Sequence, residues 1–254
     1  MGYRYETHLH TCEVSACGRT KAKDYIKFYM EKGYAGIIFT DHFFNGNCGV
    51  DSRLPWERKV DKFCVGYELA KEEGDKVGFP VFFGWEFNFQ GDEYLTYGLD
   101  KKWLKEHPEI MQDTRARYYK KVHEAGGIVI QAHPYRERDY LNTIRLNPYY
   151  VDAAEIINMG NELYQDALAE KYAEIYHLPV IGGSDMHNID FTKETSGVET
   201  EQPISSIQDF VKFILSKKGF KPIVVENRLG VQKKKPSLPV LLYKQDGVWE
   251  NLSE

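Results

Sequence analysis

Ala35-Gly36-Ile37-Ile38-Phe39-Thr40-Asp41-His42 is a short apolar run that ends on a carboxylate and an imidazole. A run of this length, apolar on both faces, fits a parallel strand covered by helices on each side. Its polar pair then falls at the C-terminal end of the strand, where parallel α/β architectures gather their chemistry. Four other segments repeat the design. Tyr3 to Thr7 runs into His8-Leu9-His10, 80 to 85 into Glu86, 127 to 132 into His133-Pro134, and 178 to 183 into Ser184-Asp185-Met186-His187. Five of the eight histidines of the chain therefore stand at predicted strand ends.

Helical periodicity fills the intervals, over 20 to 32, about 56 to 75, 112 to 124, 162 to 177 and 204 to 217, and further strands are expected at 93 to 98, 152 to 157 and 220 to 225. The alternation of strand and helix implies parallel strands covered by helices. About seven such units fit 254 residues better than a six-stranded open sheet, because the first motif stands at the N-terminus and the last near residue 187. The expected fold is α/β, a distorted TIM-like (β/α)7 barrel, with 1–254 as a single domain and 233–254 as a C-terminal extension. That extension begins Lys233-Lys234-Lys235-Pro236, a solvated linker, and carries a hairpin-like pattern, Val240 to Tyr243 and Val248-Trp249 about Asp246-Gly247.

The 33 basic and 38 acidic residues leave a net charge of −5, which argues against a general basic face for nucleic acid and for a small substrate. No stretch approaches the roughly 20 apolar residues of a membrane span, and the first eleven residues are too polar for a signal peptide. Cys12, Cys17, Cys48 and Cys64 form no C-x-x-C pair and are too sparse for a disulfide framework, so a reducing cytoplasm is expected. No feature of the sequence points to an oligomeric state.

In an extended chain His8 and His10 point to the same side and can share or bridge metal ions. His42, Glu86, His133, Asp185 and His187 add imidazole and carboxylate donors, a mixture suited to Zn, Mn or Fe. Seven donors exceed one tetrahedral ion, so two or three divalent metal ions are expected. A lone H-x-H is weak and a lone Asp-His can be a helix cap, but five such motifs in register with five strand ends are specific.

Glu6-Thr7-His8-Leu9-His10-Thr11, Thr40-Asp41-His42, Gly84-Trp85-Glu86, Ala132-His133-Pro134 and Gly183-Ser184-Asp185-Met186-His187 together resemble the PHP superfamily, named for polymerase and histidinol phosphatase, over residues 3 to about 190. The resemblance implies a distorted seven-stranded barrel, a trinuclear metal site and hydrolysis of phosphate esters. It makes His8, His10, His42, Glu86, His133, Asp185 and His187 ligands. The family often carries an Asp or His shortly after H-x-H, just before a Gly; here the stretch is Cys12 to Gly18, and either Glu13 or Cys17 could serve, with Glu13 preferred as the oxygen donor. Relatives also place a His soon after the strand of Glu86, where this chain offers Glu93. Without these two the site would hold two metals.

The implied chemistry is attack by a metal-bridging hydroxide in line with the leaving group, with no serine or cysteine nucleophile. Asp41, His42, Asp185 and His187 are the residues assigned to catalysis, Asp41 either orienting His42 or joining a proton relay, unless it only caps the next turn. Arg136 is the first candidate for the phosphate fork and Arg19 the second. Tyr135, Tyr140, Tyr149, Tyr150, Phe43 and Phe44 could wall a pocket for a nucleotide-derived substrate, although most should be packing. Asn158 and Ser184 fit either tuning of the site or a turn, and His107, His123 and His177 read as surface or structural. Nucleic acid is expected only as a substrate, and no membrane partner. Two rivals are an amidohydrolase-like C–N or lactone hydrolase, which shares H-x-H on barrel strands, and a non-catalytic, metal-stabilised regulatory barrel.

Overall fold

Twelve strands and seven α-helices follow one another among the described residues: β1 (Tyr3–Glu6), α1 (Asp24–Glu31), β2 (Gly36–Phe39), α2 (Trp56–Phe63), α3 (Val65–Val77), β3 (Val81–Phe89), β4 (Asp92–Tyr97), α4 (Lys101–Glu106), α5 (Arg115–Glu124), β5 (Ile128–Gln131), β6 (Ile144–Leu146), β7 (Ala153–Asn158), α6 (Leu163–Tyr176), β8 (Val180–Gly183), β9 (Val198–Thr200), α7 (Ile207–Ser216), β10 (Phe220–Pro222), β11 (Val240–Tyr243) and β12 (Trp249–Asn251). The computed structural model describes residues 2–191, 194–226, 228–229, 234–244 and 247–253.

Seven strands lie side by side in the order β1-β2-β3-β4-β5-β7-β8, β9 pairs with the outer edge of β1, and β10 with β9. The sheet curls into a nearly closed, TIM-like barrel. Because β9 takes the free edge of β1 over Tyr3 to Tyr5, the seam closes only beyond the strand ends. There Leu9 bridges Met186 in parallel, with His10 N donating to Met186 O at 3.0 Å and Met186 N to His8 O at 3.2 Å. The two H-x-H and D-x-H motifs are therefore the closure itself.

Strand direction departs from the expected uniform parallel order at one place. β4 runs antiparallel to both β3 and β5. Gln90 and Gly91, with φ of 57° and 101°, form the two-residue loop between Phe89 and Asp92, and two successive positive φ angles give the turn whose twist suits a hairpin.

Other boundaries differ for local reasons. The single helix expected at 56 to 75 is interrupted at Cys64 into α2 and α3. α5 starts at Arg115, where Thr114 caps it by accepting from Arg117 N at 3.4 Å. β6 and β9, three residues each, and the six-residue α4 are too short to carry a periodic signal. The hairpin of the extension forms, β11 pairing antiparallel with β12, and it docks by parallel pairing of β11 on β6. Lys233 and Asp246 lie outside the described residues.

Apolar packing closes the other end of the barrel. Phe210, Val211 and Ile214 of α7 share one buried cluster with Tyr5, Ile38, Phe82, Leu95, Tyr97 and Ile128. This leaves the C-terminal strand ends as the open, polar face. Among the described residues no helix is long and apolar enough to cross a membrane.

Candidate metal centre

Glu86, on β3, is the hub. Its side chain is 1% exposed, and four imidazoles approach it: His42 Nδ1 at 2.6 Å, His133 Nε2 at 3.0 Å, His8 Nε2 at 3.3 Å and His10 Nε2 at 3.5 Å. Asp185 Oδ1 adds a second carboxylate, 3.1 Å from His10 Nε2 and 3.5 Å from His8 Nε2. His187 and His42 each stack on His10 with ring centroids 4.2 Å apart, and lie 5.8 Å from each other. Burial pushes the Glu86 carboxyl up, but His42, His8 and the bond from His133 outweigh it and hold it well below the usual carboxylate range. Arg136 and His8 do the same for Asp185.

The imidazoles are held from behind. An ionised carboxylate can only accept, so His8 donates Nδ1–H to Glu155 Oε1 at 2.9 Å and turns Nε2 inward. His10 Nδ1 lies 3.2 Å from Ser15 Oγ, which in turn donates to Asp41 Oδ1 at 2.7 Å. Glu155 also accepts from His133 N at 2.9 Å. His133 and Asp185 have φ of 29° and 50°, a left-handed backbone that costs non-glycine residues about 1–3 kcal/mol, and the bond from His133 N to Glu155 holds the first of them. Gly183 is needed for the same arrangement: a Cβ there would overlap Glu155 Oε1 and stand 2.7 Å from His8 Cβ.

The geometry fits divalent ions. His8 Nε2, His10 Nε2, His42 Nδ1 and Glu86 Oε2 are buried and make no hydrogen bond, although they face one another at 2.6–3.5 Å. Donor atoms that converge at such distances with no hydrogen bond of their own are what a cation requires. Ligand atoms of His10, His42 and His187, of His8, Glu86 and His133, of His8, His10 and Asp185, and of His42, Glu86 and Glu93 each lie within 4.8 Å of one another. Glu93 is thus brought in, as Asn88 holds its Oε1 at 3.1 Å.

Several expected roles are not met. Glu13 turns away, its carboxylate accepting from Ala22 N at 3.0 Å ahead of α1. Cys17 stands nearer: it lines the cavity over the cluster with His42 and His187, and although burial raises its thiol, hydrogen bonds with those two histidines bring it down to about 6. Asp41 does not touch His42. Its oxygens take Thr11 N at 2.6 Å, Thr11 Oγ1 at 2.9 Å and Ser15 Oγ, so it braces the 11–15 loop and His10. Arg19 is exposed, and among the described residues its side chain bonds to the carbonyls of Ala16 and Gly18 at 3.4 Å. Arg136 does line the cavity, yet its fork is engaged by Asp185 Oδ2 at 2.7 Å, Asn158 Oδ1 at 2.6 Å and Asn161 Oδ1 at 2.9 Å.

Of the aromatic residues expected in the wall, only Tyr140 lines the cavity, 78% exposed at its rim. Phe43 and Phe44 pack in the core with Trp56 and Phe63, and Tyr135 packs against Tyr172 of α6. His107 pairs with Glu109, His123 with Asp152, and His177 ends α6. Asn158 lies behind the site, holding Arg136 and Glu155, and Ser184 braces the strand ends by binding Glu6. Four residues around the centre lie outside the candidates read from sequence. Glu6 and Glu155 are fully buried single carboxylates inside apolar strands, which was their signal. Ser15 and Arg138 carried none.

The cavity above the cluster has a volume of 610 Å³ and is lined by Cys17, His42, Asn45, Asn88, Arg136, Arg138, Asp185 and His187 among others.

No family model and no curated protein matches the chain. Solved structures share its fold. A two-domain protein of Bacteroides vulgatus containing a predicted PHP-like metal-dependent phosphoesterase superposes with a TM-score of 0.63 at 16% identity, over 88% of this chain and 65% of its own. The chain thus spans under two thirds of that protein. A proposed metal-dependent phosphoesterase of Bifidobacterium adolescentis gives a TM-score of 0.55 at 14% identity over 85% and 96%. An amidohydrolase of Chromobacterium violaceum, solved with bound sulfate and no metal, gives 0.52 at 13% over 83% and 96%. The fold is therefore that of PHP-like proteins.

Proposed function

We propose that the protein is a metal-dependent hydrolase of phosphate esters acting on a small phosphorylated substrate. The observation that carries this reading is the convergence of buried, unbonded donor atoms from His8, His10, His42 and Glu86 beneath an arginine-lined cavity. His8, His10, His42, Glu86, His133, Asp185 and His187 would hold two or three ions of the Zn, Mn or Fe class, with Cys17 and Glu93 in the two altered positions. Divalent ions bound there acidify water and offset the charge of phosphate oxygens.

The chain's own part is placement. Glu155 and Ser15 hold His8 and His10 with Nε2 inward, and Arg136 grips one oxygen of Asp185 so that the other faces the histidines. Arg138 is the better phosphate fork: its donors meet only the carbonyls of Glu137 and Gly160, and it makes no ion pair among the described residues. Tyr140 stands where a base or sugar would stack. The free thiols of the four cysteines support a cytoplasmic setting. The chain, 1–254, would act as one domain, with nucleic acid entering only as a substrate end.

The amidohydrolase likeness keeps C–N or lactone hydrolysis as a second reading. Elemental analysis combined with phosphate release from a panel of phosphomonoesters and nucleotides, beside lactones and amides, tests both. The expected result is two or three metals per chain and chelator-sensitive phosphate release, lost in Asp185→Ala and His10→Ala. Turnover of lactones or amides alone would hand the site to the second reading, and bound metal without any turnover would leave a regulatory barrel.

A further inference from the structure

We propose that Arg228, in the segment after β10, is a positioning residue for the metal centre, acting through the Asn158–Asn161 turn. This rests on the metal-site reading above.

Arg228 reaches back over the end of β7 and is caged by one turn. Its Nη1 donates to Asp166 Oδ2 at 2.8 Å, Asn158 O at 3.1 Å and Asn161 O at 3.2 Å, and its Nη2 to Met159 O at 3.4 Å. The side chain is 11% exposed and Asp166 is fully buried, so this is an interior clamp rather than a surface ion pair. Asp166, from α6, grips the same turn from within, accepting from Asn161 Nδ2 at 3.0 Å and Asn158 N at 3.3 Å.

From the far side of that turn two arms extend to the centre. Asn158 Nδ2 donates to Glu155 Oε2 at 2.8 Å, and Glu155 Oε1 holds His8. Asn158 Oδ1 and Asn161 Oδ1 hold Arg136, which holds Asp185 Oδ2. Both amides have their donor and acceptor ends committed, so neither can rotate without breaking a buried bond. The turn is the common anchor of His8 and Asp185, and Arg228 binds three of its carbonyls. Outer partners of metal ligands set ligand orientation and so metal affinity. A segment remote in sequence from every ligand motif thus completes the site.

The test uses the full chain and Arg228→Met, Arg228→Lys and Asn161→Ala, each loaded with zinc or manganese and challenged with a chromogenic chelator while circular dichroism follows the fold. Asn161→Ala removes one of the two amide bonds to Arg136 and one donor to Asp166 without leaving a buried charge unpaired, and so tests the turn through which Arg228 acts if Arg228→Met does not fold. Arg228→Met and Asn161→Ala are expected to keep the native spectrum and lose metal about 10- to 100-fold more readily, with Arg228→Lys recovering part of the loss. Parent-like retention in both, even with a lower melting temperature, would reduce Arg228 to a tether for the C-terminal segment. A parent that binds metal but hydrolyses no phosphate ester overturns the proposed function and leaves this comparison decisive. A parent that binds no metal overturns both.

Discussion

Glu6 on β1 and Glu86 on β3 are both buried carboxylates at the same end of the barrel, yet they are opposites chemically. Glu6 is ringed by donors: Thr7 N and His8 N at 2.9 Å, Ser184 N at 2.9 Å, Tyr29 OH at 2.8 Å and the Ser184 hydroxyl. Burial dominates its titration and raises it to about 7 despite those bonds. Glu86 is ringed by imidazoles instead, and one of its oxygens accepts no hydrogen bond. Burial alone therefore does not distinguish a metal ligand. What distinguishes it is whether the neighbours bring protons, which complete the group, or lone pairs, which leave room for a cation.

The sharpest way to break this contrast is Glu86→Gln. The amide presents N–H to imidazole lone pairs and removes the charge, so metal affinity should fall by more than the roughly 100-fold upper range of an outer partner, with phosphate release lost and the native spectrum kept. Retention of the parent's metal content would show that the hub has been misplaced.

Stripping the parent of metal is the next largest effect. Ions that bind only the native state add about 2.7 kcal/mol at about 100 times Kd. For a chain of this length that is about 5–10 °C of melting temperature. The chelated parent should fall by that much and regain it with zinc or manganese, whereas Glu86→Gln should be insensitive to both. A chelator shift of equal size in the two proteins would refute the assignment.

Much of this centre was legible before any coordinates, because the ligands occupy the ends of apolar runs and a barrel brings such ends together whatever the intervening helices do. What was not legible depends on the path of single turns. Asp41 could not be aimed from sequence, since its target is Ser15 in a loop whose course requires Gly18 against the Thr11 backbone. Arg136 follows the His133 motif and so reaches the cavity, but whether its fork meets phosphate or Asp185 depends on Asn158 and Asn161 behind it. β4 was found as a strand, but its reversal depends on the backbone of Gln90 and Gly91.

Glu6→Gln sharpens the contrast from the other side. One acceptor becomes a donor facing donors, at a cost of about 1–3 kcal/mol. Urea unfolding should register that loss while metal content stays at the parent value. Lost metal without lost stability would mean that Glu6 belongs with Glu86 after all.

The smallest effects come from Glu13 and Cys17, two rivals for one position, and they apply the same test of neighbours. Glu13 accepts from a backbone N–H, as Glu6 does, so Glu13→Ala should cost about 0.5–2 kcal/mol, the scale of a lost helix-start acceptor, and leave metal content unchanged. Cys17 faces His42 and His187, and its thiol is already lowered to about 6 by them, after burial has pushed the other way. Thiolate favours zinc far more than manganese, and a hydroxyl offers neither softness nor charge. Cys17→Ser should therefore weaken zinc retention while leaving manganese retention near the parent's. If Glu13→Ala released metal and Cys17→Ser did not, the loop from Thr11 to Gly18 would have to present its carboxylate to the centre, and donor-ringed carboxylates could no longer be set aside as structural.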